Sequence, residues 1–183
     1  MRFSKLFVSA IAVCALSTGL NAVAQTSVSS SATVTTPIVG TATAPLAFGT
    51  VTKGQANAVA ETAGGAGAFN FSGDESDNVI VTVPASATLN TTSGAGSATL
   101  SVTLDRANMI ANSTDNVQAN ATQADASSGT VTVALSADAD GNGTGSDGLG
   151  QAYLWIGGSV TPAATQQRGV YSGSFSVSAA YSN

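Results

Sequence analysis

Ser97-Ala98-Thr99-Leu100-Ser101-Val102-Thr103-Leu104 is the stretch that decides the fold. Its apolar side chains fall on every second residue. In an extended chain, successive side chains point to opposite faces, so one face here is apolar and the other hydroxylated. That is the signature of a half-buried β-strand. Val131, Val133 and Leu135 repeat it among threonines. Near the end of the chain, Tyr171, Gly173, Phe175, Val177, Ala179 and Tyr181 alternate with Ser172, Ser174, Ser176 and Ser178. This predicts one long final strand, and a slip of one residue would bury the serine row, so its register is strongly specified.

Further strands are predicted at Ala32–Val39, Leu46–Val51, Ala68–Ser72, Val79–Val83 and Ala152–Val160. Breakers separate them: Gly64-Gly65, Gly94-Ala95-Gly96 and the Gly/Asp stretch Asp138–Gly150. Asp105–Gly129 is polar and alanine-rich and reads as a long loop or a short helix. No segment sustains a 3.6-residue apolar period. Short strands divided by turns argue for an all-β, antiparallel β-sandwich.

The N-terminus carries an export signal. Arg2 and Lys5 precede an apolar run from Leu6 to Leu16, and Ala22-Val23-Ala24 offers a cleavage site before Gln25. The run is too short to span a bilayer core of roughly 30 Å as a helix, so removal is expected rather than anchoring. Cys14 follows Val13, where a lipoprotein signal needs a small residue, so it is expected to leave with the leader. The domain plan is therefore a signal peptide at 1–24, an extension at 25–33 and one sandwich at 34–183. The mature chain has no integral membrane segment, and its expected location is the periplasm, cell surface or exterior.

Cleavage after Ala24 leaves 159 of the 183 residues, enough for one core. Lys53, Arg106 and Arg168 are then the remaining cations, against ten carboxylates, a net charge of −7. Nucleic-acid binding needs clustered cations to neutralise phosphates, and this chain lacks them. The mature part has neither cysteine nor histidine. Thiol chemistry is excluded, and the commonest general base and metal ligand are missing. No nucleophile elbow, phosphate-cradling glycine loop or zinc-protease motif occurs. A non-enzymatic protein without a cofactor is expected.

Four features are weighed as sites. Asp138, Asp140 and Asn142 alternate ahead of Gly143, the start of a calcium loop, and Asp147 could substitute for a missing later ligand. Such residues are also ordinary loop formers. Asp74, Glu75 and Asp77 form an acidic cluster that reads first as a solvated turn. Tyr153 and Trp155 share a strand face and could stack on a sugar, although core packing is the stronger reading for so aromatic-poor a chain. Leu154 and Ile156 face the other way, and the pattern leaves open which row is core. Gln25–Thr33 is either a disordered tail or a strand donated to another subunit, with Val28, Ser30, Ala32 and Val34 on one face.

Several short motifs recur in order: Leu46-Ala-Phe48-Gly49-Thr-Val51, Ala68-Phe69-Asn-Phe71-Ser-Gly73 and Val79-Ile-Val81-Thr-Val83-Pro84. Leu154-Trp-Ile156-Gly157-Gly158 and Gly169-Val-Tyr171-Ser-Gly173-Ser-Phe175-Ser-Val177 follow, with Tyr181 closing the last strand. Taken together, residues 33 to 183 resemble the secreted bacterial domain-of-unknown-function 4402 family. More distantly they resemble spore-coat-U and archaic chaperone–usher pilins. The resemblance implies an immunoglobulin-like, pilin-like sandwich and a structural subunit of a surface fibre, matrix or adhesive assembly. Its partners would be copies of itself and a periplasmic chaperone, joined by strand addition. Tyr171, Phe175, Val177 and Tyr181 would line the acceptor groove, and Gln25–Val39 would be the donor. The alternative is a monomeric module that binds glycan or calcium.

Overall fold

The computed structural model describes residues 36–75, 77–93, 98–136 and 149–182, all within one compact unit. Its first strands are β1 (Val39–Ala44), β2 (Asn57–Val59), β3 (Gly67–Asp74), β4 (Asn78–Thr82) and β5 (Ser86–Thr91). β6 (Thr99–Asn112), a 3-10 turn (Gln118–Asn120), β7 (Thr122–Gln123) and β8 (Thr130–Ala134) follow. The last are β9 (Leu149–Val160), β10 (Tyr171–Ser172) and β11 (Ser178–Tyr181).

The strands form two antiparallel sheets. The larger runs β1-β3-β9-β6-β5-β10, with β2 beside β9 and β7 beside β6; the smaller runs β11-β4-β8. Their inner faces share one core. Val79, Val81 and Val133 come from the small sheet; Phe71, Val102, Leu104, Leu154 and Ile156 come from the large one. Val79 and Val81 are fully buried while Ile80 between them is exposed. Each fully buried aliphatic side chain of this kind contributes roughly 1.5–3 kcal/mol. The chain is thus an antiparallel β-sandwich, as the alternating runs require.

Several elements differ from the sequence pattern. The predicted final strand is two pieces in two sheets: β10 pairs with β5, and β11 pairs with β4. Between them, residues 173–177 cross over the core, where Phe175 and Val177 pack. Apolar alternation is kept because the crossing segment still has one buried side. Leu46–Val51 is likewise a covering segment rather than a strand, with Leu46 and Phe48 packed on the core. Pro45 lacks an N–H for a ladder, and Gly49 turns the chain at φ 62°.

Strand β6 runs on to Asn112, where a loop or short helix was expected. Met109 and Ile110 are both buried, the first in the main core and the second in a smaller cluster on the outer face of the large sheet. Burial on both faces erases the alternation by which a strand is recognised. β1 begins at Val39, the last residue of the predicted Ala32–Val39 strand; residues 36–38 lead into it and 32–35 lie outside the described residues.

Candidate strand-addition site

Strand β11 is the edge of the small sheet and pairs only with β4 among the described residues. The phase of that ladder follows from one bond. Ser182 donates its N–H to the Asn78 carbonyl at 2.9 Å. Mutually bonded pairs recur at every second residue of an antiparallel ladder. Ala180–Ile80 and Ser178–Thr82 are therefore bonded pairs in this register. The N–H and C=O of Ala179 and Tyr181 then point away from β4, toward the open side.

The Tyr181 side chain, on the inner face of β11, ties this strand to the edge region of the large sheet. Tyr181 Oη donates to the Thr36 carbonyl at 2.7 Å and accepts the Asp74 N–H at 2.7 Å. Asp74 in turn accepts the Thr36 N–H at 2.9 Å and the Thr36 hydroxyl. Those bonds, the hydroxyl first, hold the Asp74 carboxyl below its ordinary range. Thr36 leads into β1, so one end of a seam between β1 and β11 is latched.

At the other end, Phe175 meets Phe69 edge-on, with ring centroids 5.7 Å apart at 66°. A cavity of about 200 Å³ opens there, lined by Ala42, Leu46, Phe48, Phe69, Leu89 and Phe175 among others. Between the two ends, Gly40 and Ala42 share the inner face with their partners Phe71 and Phe69, yet remain exposed. The open backbone edge of β11 and the small-residue, exposed inner face of β1 are thus linked at the Tyr181 end. An added strand would find hydrogen-bond partners on β11 and apolar surface on β1. Gly40 and Ala42 were not singled out in the sequence because they carry no bulky side chain.

Of the four groove candidates, Phe175 and Tyr181 mark the two ends of this seam, and Val177 lies between them in the chain with its side chain on the core. Tyr171 is elsewhere, in β10, where its hydroxyl donates to the Gln167 carbonyl at 2.7 Å and accepts from Gln166 Nε2 at 2.8 Å. Replacing Tyr181 with phenylalanine removes both bonds of the latch. We expect a loss of about 1–3 kcal/mol, measured by urea unfolding. A change below about 0.5 kcal/mol would show that the latch does not hold the seam end.

The remaining candidates are placed as follows. Asp138, Asp140, Asn142 and Asp147 lie outside the described residues. Among the described residues, no group of three His, Cys, Asp or Glu side chains is placed to hold a metal. Asp74 is occupied with Thr36, while Glu75 and Asp77 occupy the turn before β4. Tyr153 and Trp155 are stacked at 6.2 Å and only 8% and 7% exposed. Both aromatic and aliphatic rows of β9 are core, one on each face of the sheet. The Trp155 ring is packed in this cluster rather than presented to solvent.

A family model described as a domain of unknown function, DUF4402, matches residues 11–181. The chain belongs to the DUF4402 family. No curated protein and no solved structure matches it. Within this DUF4402 chain, the motif Phe69-Asn-Phe71-Ser-Gly73 and the terminal Tyr181 meet in one contact. A Cβ on Gly73 would stand 2.6 Å from Tyr181 Oη and 2.9 Å from Leu135 Cδ1. The glycine leaves room for the tyrosine that latches the DUF4402 seam. No helix among the described residues is long and apolar enough to cross a membrane.

Proposed function

We propose that this DUF4402 chain is an exported, non-enzymatic structural subunit that joins copies of itself by strand addition at the β1–β11 seam, in the manner of pilin-like surface fibres. The observation that supports this reading is that, among the described residues, β11 has a partner on one side alone, while the inner face of β1 is exposed. Soluble proteins protect such edges with charge, proline, bulges or covering segments. β11, Ser178-Ala-Ala-Tyr181, has neither charge nor proline. A partner strand would satisfy it.

The donor is the segment ahead of Thr36 in a second copy. The earlier donor boundary at Val39 is too long, because Val39 pairs with Ser72 of its own β3. The 11 residues 25–35 reach about 36–40 Å when extended, enough to run the length of the seam. They alternate Val28, Ser30, Ala32 and Val34 on one face, small enough to lie over Gly40 and Ala42. Export through the Met1–Ala24 leader delivers the subunit, and a periplasmic chaperone would shield the seam until the donor arrives.

Ala179→Pro tests the edge directly. Its N–H points away from β4, so proline removes an outward donor and spares the internal ladder. We expect an unchanged circular dichroism spectrum and at least a tenfold loss of assembled material by light scattering. Wild-type assembly by a folded Ala179→Pro chain would show that β11 is not the acceptor.

A further inference from the structure

Two groups of charge lie at opposite ends of β9, while Glu61 and Asp105 sit beside Gly157 further along the strand. Where β9 begins, Leu149 pairs with Asp74, and Glu75 and Asp77 follow in the turn to β4. The chain between Ser136 and Leu149, outside the described residues, departs from and returns to that same end, since Ser136 bridges Gln151. Where β9 finishes, Gly54 donates its N–H to the Pro162 carbonyl at 2.7 Å, fastening the turn that carries Lys53. Lys53 and Arg168 line one cleft of about 580 Å³ with Thr52, Pro162, Gln167 and Tyr171. Among the described residues, no carboxylate lines that cleft. Residues 45–55 and 160–172, which build this end, contain no Asp or Glu at all. Two of the three cations after residue 24 are therefore gathered at one end, in an otherwise acidic chain. Twelve strand residues set the two ends roughly 35–40 Å apart.

Resting on the strand-addition reading, we infer that copies dock head to tail, with the Glu75/Asp77 end of one against the Lys53/Arg168 cleft of the next. A heterologous contact between two different surfaces of one chain does not close on itself and so propagates a filament. Opposite charge fixes its polarity and speeds the encounter. The geometry of the seam agrees. Thr36, from which residues 25–35 depart, is tied to Asp74 at the acidic end. The mouth of the seam lies at the basic end, where Pro45, Leu46 and Gly173 share a wall with Thr50, Gly169 and Tyr171. Docking acidic end to basic cleft thus brings the donor of one copy to the seam mouth of the next. Entering there, the donor runs antiparallel to β11, the more stable pairing.

The test is a charge swap on the chain beginning at Gln25, followed by light scattering in about 10 mM salt, where charges act over roughly 30 Å. Lys53→Glu/Arg168→Glu alone and Glu75→Lys/Asp77→Lys alone should each assemble at least tenfold more slowly than wild type. Mixed in equal amounts, the two variants should regain the wild-type rate, because each then meets its complement. All four side chains lie on loops, and circular dichroism verifies that both variants fold. Wild-type rates for the separate variants would overturn the head-to-tail docking and leave strand addition standing. Slowed variants that do not recover on mixing would overturn it as well, assigning the cleft to another anionic partner. A wild-type chain that stays monomeric would overturn both.

Discussion

Trp155→Ala is expected to destabilise the domain by about 3–5 kcal/mol, the usual cost of emptying a buried aromatic site. Trp155 is 7% exposed and packs with Ala66, Ala68, Ile110 and Tyr153 on the outer face of the large sheet. Its strand partners are Ala68 on one side and Ile110 on the other. The chain around the 3-10 turn covers it from above: Ala121 packs on the cluster and the Gln118 amide donates to the Glu61 carbonyl. Urea unfolding checks the expected loss. With a slope of about 1–3 kcal/mol per molar, the midpoint should fall by more than about 1 M. A loss below about 1 kcal/mol would mean that the ring is solvated and free to serve as a binding platform.

Gly157→Ala is expected to cost about 3 kcal/mol, at the upper end of overpacking penalties. A Cβ at Gly157 would stand 2.8 Å from the Glu61 nitrogen and 3.0 Å from the Ala60 carbonyl carbon, and closer still to the Val59 oxygen. All three are backbone atoms, so no side chain can swing aside. Relief would require lifting the segment after β2 off the large sheet, with loss of the Asn57–Val59 pairing to β9. Amide exchange at Asn57–Val59 should accelerate along with the loss of global stability. Gly64→Ala is the control, since a Cβ there meets nothing within 4 Å and should change stability by less than about 0.5 kcal/mol. Equal effects at both positions would remove the close-packing account of Gly157-Gly158.

The parts of this fold legible in the sequence are those where one strand face is buried and the other is wet. Val79 and Val81 against Ile80, or Leu100 and Val102 against Ser101, show the contrast directly. Ser86–Thr91 carries the same signal in Ala87 and Leu89 over a short span. Where both faces are buried, the strand signal is lost at Met109-Ile110, while along Tyr153–Ile156 the strand is legible but not which of its rows is core, since both are. Legibility also fails where a segment covers the core without joining a ladder. Phe175 and Val177 alternate as a strand would, yet only the register of their neighbours shows that the chain changes sheets there. Half of the candidate site was visible as the apolar row ending at Tyr181. The other half, Gly40 and Ala42, is defined by what those residues lack, and an uncovered face leaves no mark in composition.

The central claim is that copies of this chain join through the segment ahead of Thr36. Its most direct test is size-exclusion chromatography with light scattering, together with electron microscopy, on the chain beginning at Gln25 and on the same chain lacking Gln25–Thr33. Strand addition predicts oligomers or filaments from the first and folded monomers from the second, with a peptide spanning the deleted segment binding to those monomers. A first chain that remains monomeric, or a deletion that assembles equally well, would contradict it.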